Sequence, residues 1–225
     1  MKYRFVPALA LGLAAATWGQ QSATPAAADS GQSLGATMHS IQEQLSKQGQ
    51  VSWTETVSNQ PGMTIRETAN LGDVMADPEA CTLYATQTVD YSIDLPSGRA
   101  LKPGVTADDL HSHVVETDTL SFKQVGNVTV EKMQDVSNQT YMDAGHKEIS
   151  VTVTPPVFYV KVRASSAVFA SHTSTTKGKQ AAVEMDATGK TNGLTIRDEE
   201  TANRVAKAMI HAVELCGGGA KKDSP

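Results

Sequence analysis

Cysteine is scarce in this chain. Cys81 and Cys216 are its only two in 225 residues, which leaves room for one intramolecular disulfide and no framework of several. Basic charge is short as well: 19 Lys and Arg stand against 24 Asp and Glu, for a formal net charge of −5. No basic stripe appears, so the electrostatic footprint of a nucleic-acid binder is missing. Nothing repeats at a solenoid or propeller period. The one sustained apolar run, Phe5 to Ala16, is too short to cross a bilayer as a permanent anchor.

That run follows Lys2 and Arg4 and precedes small and polar residues, the layout of a secretory signal peptide. Residues 1–19 are assigned to it. The cut follows Gly19, Ala23 or Ala28, so the segment ends as late as residue 28. No cysteine lies near the site, which disfavours a lipid-anchored form. The mature chain is expected to be exported, periplasmic or extracellular, with no transmembrane segment after cleavage. Residues 20–32, rich in Ala, Gln, Thr and Ser, read as a disordered leader, residues 33–216 as one α+β domain, and residues 217–225 as a flexible tail.

The clearest element is the last. From Asp198 onward, Ala202, Val205, Ala206, Met209, Ala212, Val213 and Cys216 fall at the spacing that lines one face of an α-helix. Asp198 suits the N-cap, Glu199 and Glu200 the positive end of the helix dipole, and Gly217 the stop. Near the other end, Leu34, Met38, Ile41 and Leu45 predict a short helix over about 34–48, with Ser33 as cap and Gly49 as stop.

Between the helices the period falls to two. Val51, Trp53 and Val57 share one face of a first strand. Met63, Ile65, Ala69 and Leu71 mark a second, and Leu83, Ala85, Val89, Tyr91, Ile93 and Leu95 a third. One face buried and one wet is the habit of antiparallel sheets. Pro96-Ser97-Gly98 and Pro103-Gly104 punctuate a loop. Val114 and Val115 open a fourth strand. Leu120, Phe122, Val128 and Val130 mark further pairing around a bulge or turn at Gly126. Val151 and Val153, then Phe158, Val160 and Val162, flank Pro155-Pro156, which must lie in a break or on an edge. Ala181, Val183 and Met185 with Leu194 and Ile196 are expected to form a hairpin around Gly189 and Asn192-Gly193.

Chemical motifs fail on context. Gly31-Gln32-Ser33-Leu34-Gly35 has the letters of a nucleophile elbow but no strand ahead of the serine. Ser174-Thr175-Thr176-Lys177 has the letters S-x-x-K without the partner motifs and reads as a polar loop. Gly189-Lys190-Thr191 lacks the first glycine of a phosphate-binding loop, whose place Glu184 takes. The candidate metal ligands are His111 and His113, which point the same way in a strand and have Asp109, Glu116 and Asp118 nearby in sequence. An exposed polar strand gives the same letters, so no metal, cofactor or catalytic residue is assigned.

Antiparallel strands closed by one C-terminal amphipathic helix resemble the pleckstrin-homology-like fold. The segment Leu194 to Gly218, with its A-x-R-V-A-K-A helix ending in L-C-G-G, resembles the ending of uncharacterised secreted bacterial proteins. The resemblance implies a strongly bent antiparallel sheet closed by that helix; a β-sandwich with an appended helix is the alternative. The chain lacks the basic loop that phosphoinositide binding requires. An exported, non-catalytic domain binding a protein, peptide or cell-envelope component is the expected function. The competing readings are a metal-assisted hydrolase using His111 and His113 and a purely structural envelope protein. Export to an oxidising compartment and an even cysteine count predict a Cys81–Cys216 disulfide pinning the closing helix to the sheet. Two free thiols or an interchain bridge are the alternative.

Overall fold

The computed structural model describes residues 32–101, 103–164 and 169–219; the signal-peptide assignment, leader residues 20–31 and tail residues 220–225 lie outside them. Helix α1, Leu34–Ser46, starts where the Ser33 hydroxyl accepts the Ala36 amide, so that serine is a helix cap. Its stripe of Met38, Ile41 and Leu45 is fully buried. Three long strands follow, β1 (Gln50–Val57), β2 (Thr64–Asp77) and β3 (Thr82–Asp94), antiparallel in sequence order. The β2–β3 ladder shifts register between Gly72 and Met75, where Asp73 takes a left-handed φ of 42°, a bulge that sharpens the local twist. Strand β4 (His111–Ser121) pairs with β3.

After β4 the chain turns a corner. A short 3-10 turn, Phe122–Gln124, leads into β5 (Val125–Lys132), then helix α2 (Met133–Asp143), edge strand β6 (Val151–Thr154) and β7 (Phe158–Ala164). Pro155-Pro156 occupies the break between β6 and β7. Strands β8 (Phe169–Lys177), β9 (Val183–Gly189) and β10 (Thr191–Ile196) lead into α3, Glu199–Leu215. One sheet has the order β6-β1-β2-β3-β4-β8-β9 and the other β10-β7-β5. Among the described residues the two are linked at two neighbouring places: β4 runs on through the 3-10 turn into β5, and β9 into β10. The order β4-β8-β9 is repeated as β5-β7-β10, so the strand order carries over from one sheet to the other. The α+β class and the antiparallel sheet are as the periodicity implies.

Three segments differ from the sequence reading. Ser174 to Lys177 is the end of β8 rather than a loop, because its backbone pairs with β4 and, at Ser174 and Thr175, with β9 as well. Strands β9 and β10 do not pair as a hairpin. Instead β9 pairs with β8 and β10 with β7, the single-residue link at Lys190 being a corner and not a turn. Helix α2 lacks a buried stripe of its own and gave no periodic signal.

α3 lies against the small sheet and α1, burying Ala202, Val205, Ala206, Met209, Ala212 and Val213, while Asn203 and Lys207 are exposed. Asp198 accepts the Thr201 amide at 2.8 Å, Glu200 pairs with Arg204 at 3.0 Å, and Gly217 takes φ 73°. Cys81, in the β2–β3 turn, is bonded to Cys216 at the end of α3, with a Cα separation of 6.0 Å. A second, smaller core of Val51, Trp53, Ala69, Val89, Val151, Val153 and Val157 lies at the β1 side, with Met133 and Tyr141 of α2 packed against it.

Candidate binding site on the concave face

Side chains of a strand alternate between faces, so the ladders fix what lines the inside of the bend. On the large sheet one row crosses Trp53, Glu67, Tyr91 and Ser112. A row two residues away crosses Val51, Ala69, Val89 and Val114, all buried. Farther along the same face come Glu116 and Asp118 of β4, opposite Thr173 and Ser171 of β8. Tyr159 of β7 faces them from the small sheet, close enough for Glu116 and Asp118 to act on its hydroxyl.

Carboxylates thus occupy positions that the alternation reserves for apolar residues. Two are almost sealed, Glu55 at 6 % and Asp118 at 9 % exposure. Burial, which disfavours the charged form, raises Glu55 and holds Glu67 well above the carboxylate range, the Glu55 charge adding to the shift at Glu67. The Ser137 hydroxyl of α2 donates to Glu55 at 2.6 Å and offsets part of that cost. Burial pushes Asp118 up to about 6, with Glu116 adding repulsion. The same burial raises Tyr91 and Tyr159, with nearby carboxylates contributing.

The face has a closed part and an open part. Helix α2 covers the Glu55–Glu67 end, where the Trp53 indole N–H lies toward the Glu55 carboxyl without completing a hydrogen bond. At the other end, β8 and β9 extend past the cover. Every residue from Val183 to Thr188 is exposed, including Val183 at 67 % and Met185 at 58 %. Both lie on the concave side, Val183 opposite Thr175 and Met185 opposite Thr173. Ser171 donates to Glu116 Oε1 at 3.0 Å. Asn192 and Ser171 lie against the Asp118 carboxyl, yet its Oδ1 is sealed from water with no hydrogen-bond partner among the described residues. Lys161 and Arg163 of β7 are turned to Glu131, at 3.0 and 3.9 Å.

The histidine pair lies elsewhere. His111 and His113 alternate with Ser112 and Val114 and project from the convex side. His113 Nδ1 is 2.7 Å from Asp90 Oδ1. The expected carboxylate neighbours are not there: Glu116 and Asp118 differ from the histidines in parity and point into the bend. Asp109 caps its own turn, accepting the Thr106 amide and hydroxyl at 2.8 and 2.9 Å. Among the described residues no three His, Cys, Asp or Glu side chains converge as metal ligands, and no helix is long and apolar enough to cross a membrane.

Comparison of the chain with known protein families, with characterised proteins and with solved structures finds no match.

Proposed function

We propose that this chain is an exported binding domain whose open concave face, formed by β4, β8 and β9, receives a protein or peptide ligand. One observation carries the reading. A buried carboxyl with an unpartnered oxygen, Asp118, lies on the same face and two strands away from the exposed apolar side chains of β9. Buried polar atoms in folded proteins are almost always satisfied, and an exception calls for an explanation. Large apolar side chains at the rim of a polar hollow favour a macromolecular contact. The Cys81–Cys216 disulfide is consistent with an oxidising, exported setting, and its place at the far corner leaves the β8–β9 arm free.

Site-specific photo-crosslinking in the cells that make the protein tests the reading. A crosslinking residue at Thr173 or Met185 should capture a discrete partner, and one at His113 on the convex side should not. Equal capture from both faces, or none from the concave positions, would refute a concave binding face.

A further inference from the structure

The open concave face is a grid of three strands by three rows. One row holds Val183, Thr175 and Val114, the next Met185, Thr173 and Glu116, the third Ala187, Ser171 and Asp118. Across each row the chemistry runs from apolar or small at the free edge, through a hydroxyl, to valine or carboxylate inside. Two strand spacings separate Met185 from Glu116, or about 10 Å between backbones. A side chain entering from the β9 edge meets apolar surface first, then hydroxyls, and last two carboxyls.

We propose that this grid is a docking surface for a basic peptide segment of a protein partner, whose lysine or arginine side chain lays its stem on Met185 and Val183 and presents its cationic head to Glu116 and Asp118. The proposal rests on the concave-face reading above and names the determinant recognised there. Charge complementarity selects the occupant. Lys161 and Arg163, the inward-facing cations of the small sheet, are held by Glu131. Glu116 spends one oxygen on Ser171, and Asp118 keeps Oδ1 unpartnered. An incoming ammonium or guanidinium supplies the missing donors to both, Asp118 turning Oδ1 toward it. Long basic side chains suit such a surface because their stems are apolar and their heads polar. A divalent metal suits it poorly, since the described residues hold no converging set of three ligands. Outside the grid, β9 is an edge strand with one side unpaired, so the backbone of an extended segment can pair alongside it.

The test is nuclear magnetic resonance titration of the full exported chain, labelled at methionine methyls and backbone amides. The probes are blocked nine-residue Gly/Ser peptides with central lysine, arginine, citrulline or norleucine. Lysine and arginine peptides should move Met185, Thr173 and Ser171 signals saturably, with affinities at least tenfold tighter than their neutral counterparts. D118N and E116Q should each remove that preference, and D94N on the convex side should leave it intact. Equal binding of the norleucine peptide would overturn the cationic determinant while leaving the concave-face reading standing, as would a crosslinked partner at Thr173 with no response to any basic peptide. Basic peptides that shift the convex side instead of the grid would sink the inference. So would Met185 signals that depend on protein concentration alone, since the occupant would then be a second copy.

Discussion

Asp118 should make the protein less stable as pH rises, and the size of the effect follows from its surroundings. Its carboxyl is pushed from 3.8 up to about 6 by burial and by Glu116. Between those values the folded chain holds a proton that the unfolded chain has released. Stability contributed by this group is therefore present below about pH 4 and lost as pH climbs through 6. A shift of about two units is worth about 3 kcal/mol. Asp118→Asn keeps the shape and removes the titration. Its amide introduces a constant offset, so the informative quantity is the difference between wild type and variant. Urea unfolding at pH 4.0, 5.0, 6.0 and 7.5 measures it. Wild-type stability should fall relative to the variant by about 3 kcal/mol across that range and then level off. A flat difference would show that Asp118 titrates normally. A difference that rises with pH would show that a cation already partners it, and the inference of an unfilled docking position would fall with that result.

Other perturbations probe the frame that holds the face. Breaking the Cys81–Cys216 bond by Cys81→Ser, across a separation of 135 residues, should cost up to about 5 kcal/mol on chain-entropy grounds, read as a lower urea midpoint; unreduced peptide mapping of wild type should recover the cross-linked pair. Met209 is fully buried on α3, so Met209→Ala should cost about 2 to 5 kcal/mol, and a change within error would mean the helix stripe is not packed as described. At Gly193 a Cβ would stand 2.5 Å from the Val160 carbonyl oxygen and 2.6 Å from the Tyr159 ring; Gly193→Ala should cost about 1 to 3 kcal/mol as overpacking and alter the near-ultraviolet dichroism of the displaced tyrosine.

Elements that bury a stripe of their own were readable from the residues alone. Leu34, Met38, Ile41 and Leu45, and the α3 positions from Ala202 to Val213, carry their period because each stripe meets one continuous core. Elements whose position depends on distant partners were not. Val183 and Met185 alternate as a buried strand would, yet they are exposed, because nothing among the described residues covers the β8–β9 arm. Helix α2 is held by individual polar contacts, Ser137 to Glu55 and Asn138 Oδ1 accepting the Val151 amide at 2.7 Å. Such contacts join residues up to 82 positions apart and leave no local pattern. The β9–β10 corner misled for a related reason: a glycine and an Asn-Gly pair mark a change of direction, and the identity of the neighbouring strand decides whether that change is a hairpin turn or a bend between sheets.

The proposed binding face had left a trace in the sequence, in the gaps of an otherwise regular pattern. The β1 phase Val51, Trp53, Val57 skips Glu55; the β2 phase Ile65, Ala69, Leu71 skips Glu67; the β4 phase Val114, Leu120 skips Glu116 and Asp118. Each skipped position shares a face with apolar neighbours, since residues two apart in a strand point the same way. An acidic residue there is forced inward by its own strand and must meet burial, a hydrogen bond or a partner. Glu55 meets Ser137, and Glu116 meets Ser171. Asp118 alone of these keeps a sealed, unpartnered oxygen, at the end of the face where the cover stops. Its neighbours on β8 and β9 are hydroxyls and apolar groups, of which Val183 and Met185 stay more than half exposed. An inward carboxyl costs least where a partner can pair with it, and the proposed ligand at the open arm would do so once Oδ1 turns toward it.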